Sequence, residues 1–380
     1  MNTPVPEPFR LLVRGVNWLG DAVMTTPALQ RLREHFPRAH ITLLTHQKLA
    51  EVWQAQPSLD AVITFAQSES PWSIARRLRQ ERFQTALIFP NSPRSAFEAW
   101  AARIPSRIGY ACPWRSWSLT LAVQDRPQRI AMRKLTGREV RRLCRAGGKP
   151  GAGSPPNPPG AIHQTRDYLH LAAALGANPE PLPPRLALAP EEVRAASMKF
   201  GLHAAGPMFV GLNPGAEYGP AKRWPVQRFA AVAREIGPLL GCAFLIFGGR
   251  SDLTIAQELE AGLSIASVPV LNLAGRTSLR ELCALLKLCR VLLTNDTGPM
   301  HAAAALGTPV VVPFGSTSPE LTGPGTPGGQ HQRLLKSSAP CSPCFRRTCP
   351  IDLRCMDGIG VKEVAAAVLD YAAGRGTGNT

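Results

Sequence analysis

The chain has 380 residues, which is too long for one hydrophobic core of ordinary size and predicts two or three domains. Hydrophobic residues make up 44% and charged residues 18%, as in ordinary globular proteins, and the absence of any apolar run of about 18 residues excludes a predicted membrane-spanning helix. The 43 basic residues outnumber the 26 acidic residues, and the net charge of +17 favours nucleic acid, an anionic membrane surface or a polyanionic substrate as a partner.

The N-terminus and the cysteines indicate a cellular compartment. The first ten residues, MNTPVPEPFR, lack the apolar region of a signal peptide. The nine cysteines are odd in number and five of them are scattered along the chain. Because a disulfide framework normally has an even and clustered set, we expect a reduced cytoplasmic setting.

Short apolar runs alternate with amphipathic stretches in the first half of the chain. The apolar runs are RLLVRG, HITLLTH and QTALIFP, and helical patterns cover residues 27–36, 72–81, 96–102 and 167–175. This alternation predicts a parallel sheet with helices on its faces.

The first strand leads into GVNWLGDAVMTTP, residues 15–27. Asp21 falls where the next helix begins, a position at which a carboxylate complements the helix dipole and needs no catalytic role. A carboxylate beyond the carboxyl end of a strand also suits a general base that reaches a substrate hydroxyl. The residues alone leave both interpretations open.

Two stretches rich in proline punctuate the chain. Residues 145–161, which are dense in Gly and Pro, predict a flexible loop, and residues 178–190 predict an interdomain linker. Beyond them the alternation resumes and predicts a second doubly wound domain. Its strands are expected in MFVGLNP, CAFLIFGG, VPVLNLAG, RVLLTN and TPVVVPFG, with helices over residues 226–240, 279–289 and 300–306.

The predicted domain boundaries follow from this pattern. We expect an N-terminal domain over residues 1–180, a linker over 181–190 and a C-terminal domain over 191–360. A C-terminal helix and tail over residues 361–380 is a candidate to cross back to the N-terminal domain.

A connection in the second half, NPGAEYGPAKRWP over residues 213–225, combines glycines, prolines and cations. Glycine permits close approach of the backbone to a ligand, and proline fixes the path of the chain. Lys222 and Arg223 place cationic donors just before a helix, so the loop suits an anionic ligand, above all a phosphate. A solvated lysine–arginine pair is the alternative.

Two further strand ends carry polar motifs. In FGGRSD, Gly248 permits close approach of a ligand and Asp252 can accept hydrogen bonds from ribose hydroxyls, although a plain turn explains the same residues. In TNDTGPMH, Asp296 and Thr297 offer capping oxygens before a helix of small residues whose first N–H groups suit phosphate. His301, taken alone, is equally explained as a core histidine.

Four cysteines lie close together near the C-terminus in CSPCFRRTCPIDLRC: Cys341, Cys344, Cys349 and Cys355. Four thiolates can hold zinc or an iron–sulfur cluster, but the spacing differs from the usual pair of CxxC motifs. Buried free thiols or a disulfide are the alternatives, and we expect no required metal or cofactor.

Together these motifs resemble those of the bacterial lipopolysaccharide heptosyltransferases, most closely the heptosyltransferase II branch. The matching segments are GVNWLGDAVMTTPAL, NSPRSA, NPGAEYGPAKRWP, NDTGPMHAAAALGTPVV and FGSTSPELTGP. The resemblance implies an α/β fold of the GT-B class, with two doubly wound Rossmann-like domains that face each other across a cleft. It also implies inverting, metal-independent transfer of L-glycero-D-manno-heptose from ADP-heptose to the inner core of lipopolysaccharide, as the second heptose on heptosyl-Kdo2-lipid A.

The resemblance assigns roles to individual residues. Asp21 aligns with the general base that deprotonates the acceptor hydroxyl, and Lys222 aligns with the lysine that meets the donor phosphates. The other donor contacts are Gly215, Glu217, Tyr218, Arg223, Gly248, Asp252, Asp296, Thr297, Gly298 and His301. The acceptor contacts are Asn17, Trp18, Asn91 and Arg94.

The expected partners are ADP-heptose, an acceptor of the Kdo-lipid A type and the inner leaflet of the inner membrane, to which the protein binds peripherally. No nucleic acid is expected. Three alternatives are another GT-B sugar-nucleotide enzyme (a different transferase or an epimerase), a non-catalytic sugar-nucleotide binder, and a zinc-containing nucleic-acid-binding protein.

Overall fold

A computed structural model describes residues 9–147, 162–202, 206–266, 268–325, 329 and 331–374. The chain divides into two compact units. The first unit consists of Met1–Arg129 and His163–Ala187, and the second of Ile130–Ile162 and Leu188–Thr380. The predicted loop over residues 145–161 lies almost entirely outside the described residues.

The first unit contains a sheet of six parallel strands in the order β3–β2–β1–β4–β5–β6. The strands are β1 (Arg10–Arg14), β2 (His40–His46), β3 (Ala61–Phe65), β4 (Thr85–Ile88), β5 (Ser106–Tyr110) and β6 (Leu121–Val123). Its helices are α1 (Leu19–Met24), α2 (Thr26–His35), α3 (Pro71–Gln80), α4 (Pro93–Ala101) and α6 (Thr165–Ala173). Leu11, Leu12 and Val13 on the central strand are all buried, because helices cover both faces of a parallel sheet.

The helices α3 and α4 pack side by side in the first unit. α3 begins after Ser70, whose hydroxyl accepts a hydrogen bond from the Ser73 N–H, and it buries Ile74, Ala75 and Leu78. Since these three residues share one helix face at spacings of one, three and four, the opposite face of α3 is left at the surface.

The second unit contains another sheet of six parallel strands, in the order β12–β11–β10–β7–β8–β9. The strands are β7 (Phe209–Asn213), β8 (Ala243–Ile246), β9 (Val270–Asn272), β10 (Val291–Thr294), β11 (Val310–Phe314) and β12 (Gln332–Lys336). The helices are α5 (Gly137–Ala146), α7 (Pro190–Lys199), α8 (Val226–Leu240), α9 (Leu253–Ser264), α10 (Leu279–Leu288), α11 (Gly298–Ala305), α12 (Pro319–Thr322), α13 (Arg354–Asp357) and α14 (Val361–Ala372).

The two sheets have the same winding although the sequence shows no obvious repeat. In each, the strand order reverses between the first and the fourth strand, that is between β1 and β4 and between β7 and β10. Ligands of doubly wound sheets bind beyond the carboxyl ends of the strands at this reversal point. The segments that leave these four strands are residues 15–21, 89–94, 214–225 and 295–301.

The structure corrects the predicted domain boundaries at two places. α5 belongs to the second unit, not to an N-terminal domain ending at residue 180, because Val140 joins the core of the second unit and the Leu135 N–H donates to the Cys344 carbonyl. α14 also stays in the second unit, where it packs on α8, so the described C-terminal helix does not cross back. Within the described part of the chain, none of the helices is long and apolar enough to cross a bilayer.

Candidate active site

In the second unit, the loop after β7 packs against the turn after β8. The carboxylate of Asp252 lies so close to Gly215 that a Cβ there would be 2.4 Å from its Cγ and 2.5 and 2.6 Å from its oxygens. Oδ2 of Asp252 accepts a hydrogen bond from the Gly249 N–H (3.1 Å), and Oδ1 faces the Arg223 guanidinium at 3.4 Å. Two motifs that the sequence predicted separately therefore meet here, and a Cβ at position 215 would fit only if the Asp252 carboxylate moved.

Lys222 is held in the same place by a buried acid. Its Nζ lies 2.6 Å from Oδ2 of Asp296, and the Thr317 hydroxyl donates to the same oxygen at 2.6 Å. The ammonium also stands 4.8 Å from the centre of the Tyr218 ring, within range of a cation–π interaction. Because the Lys222 side chain is only 14% exposed, its charge acts on a neighbouring anion with little screening by water.

Asn295 joins the two strand ends of this site. Its side chain is completely buried; Oδ1 accepts from the Trp224 N–H at 2.9 Å, and Nδ2 donates to the Pro214 carbonyl at 2.7 Å. These bonds fix the loop after β7 to the end of β10, and so set the position of Lys222 between them.

Helix α11 begins at Gly298, directly after Thr297, at the carboxyl edge of the second sheet. The first N–H groups of a helix lack partners within the helix and carry its positive dipole end, so they attract an anion. His301 is buried on the same helix.

The segment of residues 339–359, which we call the cysteine-rich segment, braces the loop after β7. The Tyr218 hydroxyl donates to the Phe345 carbonyl at 2.9 Å, and the Ala221 N–H donates to the Arg347 carbonyl at 3.0 Å. Gly219 has a φ of 150°, and a Cβ there would lie 2.6 Å from the same Arg347 oxygen. Neither backbone torsion nor space allows a larger residue at that position.

The thiols of the cysteine-rich segment are reduced and largely buried. Cys341, Cys344 and Cys355 are buried, whereas Cys349 is partly exposed, and all four are free. Burial raises the pKa of Cys341 and of Cys355 to about 12. Among the residues that the structure describes, no group of three or more His, Cys, Asp or Glu side chains is arranged to hold a metal ion.

In the first unit, Asp21 lies in the first turn of α1, beyond the end of β1. The Gln164 side-chain amide donates to Asp21 Oδ1 at 3.2 Å and to the Tyr168 hydroxyl at 2.9 Å. Burial, and next the charge of Asp21, raise the pKa of Tyr168 well above its ordinary value. With both amide N–H groups engaged, the orientation of Gln164 is fixed, and so is that of the carboxylate oxygen it contacts.

Arg94 of α4 is part of a buried ionic cluster. Glu98, which is 1% exposed, accepts from Arg14 Nε at 2.8 Å and from Arg94 Nε at 3.0 Å. Burial lowers the pKa of His46, at the end of β2, and the positive charges of Lys48, Arg14 and Arg94 lower it further. The carboxyl edge of the first sheet is therefore rich in cations around the His46 imidazole.

The remaining predicted residues occupy the same two edges. Asn17 and Asn91 are exposed, and Trp18 is 41% exposed with the Lys48 ammonium 5.2 Å from its ring. In the second unit, Glu217 is exposed and Gly248 is partly buried. The structure thus gathers the donor candidates at one sheet edge and the acceptor candidates at another.

Three features of the site had no signal in the sequence. Gln164 follows a Gly/Pro-rich stretch and gives no sign that it contacts Asp21. Phe345 and Arg347 lie more than a hundred residues from the loop that they brace. Only folding brings each of them to its partner.

Two doubly wound units of identical strand order, with polar residues at their reversal points, are the architecture of the GT-B class of sugar-nucleotide enzymes. The profile of glycosyltransferase family 9 (heptosyltransferase) matches residues 155–354, more than half of the chain. The chain belongs to this family and is a glycosyltransferase; this assignment replaces the nucleic-acid-binding alternative.

Known relatives agree with the family assignment. The chain is 29% identical over 324 residues to lipopolysaccharide heptosyltransferase 2 of Escherichia coli K12, covering 83% of this chain and 85% of the relative. It is 25% identical over 368 residues to lipooligosaccharide heptosyltransferase 2 of Campylobacter jejuni, covering 94% and 97% of the two chains. The fold matches the solved structure of E. coli ADP-heptose lps heptosyltransferase II with a TM-score of 0.76 at 24% identity, over 96% of this chain and 99% of the other.

Proposed function

We propose that the enzyme transfers L-glycero-D-manno-heptose from ADP-heptose to heptosyl-Kdo2-lipid A, adding the second heptose of the lipopolysaccharide inner core. The names of the E. coli and C. jejuni relatives support the donor sugar and the second step. The observation that carries the proposal is the placement of Lys222, Asp296 and the start of α11 at one sheet edge.

In this proposal the donor diphosphate replaces Asp296 as the partner of the Lys222 ammonium. The start of α11, around Thr297 and Gly298, supplies N–H donors for the same phosphates. As the bond from the anomeric carbon to ADP breaks, negative charge grows on the diphosphate, and these groups stabilise it. Asp252 is the proposed ribose contact, since its carboxylate lies beside the glycines through which a nucleotide would approach.

Asp21 is the proposed general base. Its carboxylate takes the proton from the acceptor hydroxyl as that oxygen attacks the anomeric carbon from the face opposite to ADP, which inverts the configuration. Gln164 acts as a positioning residue because it fixes one oxygen of this carboxylate. Tyr168 stays protonated, and its hydroxyl oxygen accepts the other N–H of the Gln164 amide.

The acceptor is proposed to lie along the cationic edge of the first unit, near Asn17, Trp18, Asn91 and Arg94. An acceptor of this class carries phosphates and Kdo carboxylates, which suit such an edge. We further propose that the protein works in the cytoplasm, at the inner leaflet that holds this lipid.

The test is ADP release from ADP-heptose with heptosyl-Kdo2-lipid A, with Kdo2-lipid A, and without acceptor. Wild type should turn over only with heptosyl-Kdo2-lipid A. Asp21→Asn should lose about 10²- to 10⁴-fold in turnover while it binds ADP-heptose normally. Turnover should survive EDTA, because Lys222 and α11 meet the diphosphate.

A matched control is Asp125→Asn, the same change at a carboxylate that is 59% exposed in the same unit; it should leave turnover unchanged. Activity on Kdo2-lipid A alone would assign the enzyme to the transfer of the first heptose instead of the second. Full turnover by Asp21→Asn would remove Asp21 as the base, and failure to bind ADP-heptose would refute the donor.

A further inference from the structure

A row of four aromatic rings crosses the surface of the first unit. The rings belong to Trp72 on α3, Phe97 and Trp100 on α4, and Trp117 in a short turn after β5. Consecutive centroids are 4.9, 5.6 and 5.2 Å apart, so the rings touch edge to face or tilted along the row. Three separate elements thus contribute to one continuous apolar strip.

The tryptophans of this row are exposed. Trp72, Trp100 and Trp117 are 64%, 40% and 62% exposed, and nearby in sequence Trp114 is 80% exposed. These are four of the seven tryptophans in the chain. Globular proteins seldom leave contiguous apolar surface in water unless it contacts something. α3 and α4 bury their other faces in the core, so the helix faces that carry these rings stay at the surface.

The segment that carries the row is rich in arginine. Residues 71–120 contain eight arginines and only two acids, Glu81 and Glu98. Arg76 and Arg79 follow Trp72 by four and seven positions, on the same face of α3, and both are exposed. Glu98 is buried and pairs with Arg14 and Arg94, and Glu81 pairs with Arg10. Neither acid is paired with Arg76 or Arg79 in these contacts.

We propose that this tryptophan surface, made of Trp72, Trp100, Trp117, Arg76 and Arg79, docks on an anionic lipid bilayer. Indole rings prefer the headgroup region, where the ring contacts acyl chains and the N–H stays hydrated. Arginines beside them are attracted to anionic headgroups. The inference rests on the proposed function, because an acceptor anchored in a bilayer requires the enzyme to work at that surface.

The experiment measures partition of the full-length protein between buffer and vesicles, without donor or acceptor. Vesicles of phosphatidylcholine alone are compared with vesicles containing 30% phosphatidylglycerol (about one anionic lipid in three), at low and high salt. Wild type should bind only the anionic vesicles. Trp72→Gln/Trp100→Gln/Trp117→Gln should lose at least about tenfold in partition, and Arg76→Gln/Arg79→Gln about fivefold per residue, which corresponds to about 1 kcal/mol each.

Two control variants distinguish binding through this surface from nonspecific adsorption to vesicles. Met198→Gln/Ile265→Gln removes apolar side chains that are 82% and 87% exposed in the second unit, and should change nothing. Arg138→Gln/Arg142→Gln removes charge from α5, a helix with four arginines at its surface and no aromatic ring. Circular dichroism and retained ADP binding establish that each variant is folded.

Four results would overturn the proposal: no binding of wild type to anionic vesicles, equal binding by the tryptophan variant, loss confined to the α5 variant, or a dimer of wild type that the tryptophan substitutions dissociate. The last result would assign the face to a second copy of the chain. Assays with a water-soluble acceptor that lacks acyl chains test the proposed function separately from the proposed membrane surface. The tryptophan variant should glycosylate it at the wild-type rate, whereas a wild type that fails on every acceptor but still binds vesicles contradicts only the proposed function.

Discussion

Replacing Gly215 by alanine tests whether the two donor motifs are packed as tightly as the structure shows. The new Cβ would lie 2.4 Å from Cγ of Asp252, and carbon atoms in ordinary contact are about 3.5–4.0 Å apart. The carboxylate must therefore move by about 1 Å. Its hydrogen bond from the Gly249 N–H starts at 3.1 Å and its contact with Arg223 at 3.4 Å, so such a shift breaks both.

The expected cost combines two effects. Overpacking of a filled site costs about 1–3 kcal/mol, and the hydrogen bond lost from the Gly249 N–H lies within that range at about 1 kcal/mol. Gly215→Ala should therefore lower the free energy of unfolding of the second unit by about 1–3 kcal/mol. It should also weaken ADP binding, because Arg223 loses the acid that orients it.

The assay is a double-mutant cycle with Asp252→Ala. Removing the carboxylate removes the atoms that clash, so Gly215→Ala should cost little in the Asp252→Ala background, with a coupling energy of about 1–2 kcal/mol. Urea unfolding followed by hydrogen-exchange mass spectrometry reports peptides of the second unit separately from the first. Gly262→Ala in α9 is the matched control: its Cβ would meet only Ala230 at 3.5 Å, and it should stabilise the helix by about 0.5–1 kcal/mol.

Strict additivity of Gly215→Ala and Asp252→Ala would refute this reasoning. So would a Gly215→Ala enzyme that is as stable as wild type and binds ADP normally. Either outcome would mean that the loop after β7 relaxes away from Asp252 at little cost.

Further predictions concern the base, an ion pair and the buried thiols. Gln164→Met should lower turnover without changing donor affinity, because one oxygen of the Asp21 carboxylate loses the amide that orients it; steady-state kinetics and ADP-heptose binding would measure both. The hydrogen bond from Arg280 lowers the pKa of Glu192 below its ordinary 4.5, so Glu192→Gln should destabilise the protein at pH 7 and progressively less as pH falls below 4.5, as urea titrations at several pH values would show. With a pKa of about 12, Cys341 should resist iodoacetamide at pH 8 in the native protein and react after denaturation, as peptide mass spectrometry can measure.

The central strands could be predicted from the sequence because they are buried on both faces. All eight predicted strands form, and the predicted helix over residues 226–240 is α8. The four strands that were not predicted are β3, β5, β6 and β12, at or next to the sheet edges. SRIGY in β5, next to the edge strand β6, and QRLLK in the edge strand β12 mix polar and apolar residues, because strands near a sheet edge are partly open to water. They therefore lack a continuous apolar run.

The candidate site was predictable where a motif is short and local. NPGAEYGPAKRWP and TNDTGPMH follow strands that neighbour each other in the sheet, so their convergence follows from the winding. What the sequence does not contain is the identity of each partner. That Lys222 would pair with Asp296, or Asp21 with Gln164, depends on side-chain placement across separate elements.

The predicted domain boundary missed residues 130–147 for a similar reason. Residues 130–147 precede a Gly/Pro-rich stretch and follow the first sheet, which places them in the N-terminal domain by position in the chain. Val140 nevertheless packs in the core of the second unit, and Arg141 donates to the Pro350 carbonyl. Sequence order does not reveal a segment that leaves one domain and returns to it.

The bracing of Tyr218 and Gly219 by the cysteine-rich segment bears on how this enzyme can be recombined with its relatives. A donor loop grafted from another member of the family would arrive without the carbonyls of Phe345 and Arg347 that hold it in place. Chimeras that exchange nucleotide-sugar preference must therefore inherit residues 213–225 and 339–359 as a pair. Because of these contacts, sequence changes in one segment during evolution restrict those that the other can accept, although the two lie far apart in the gene.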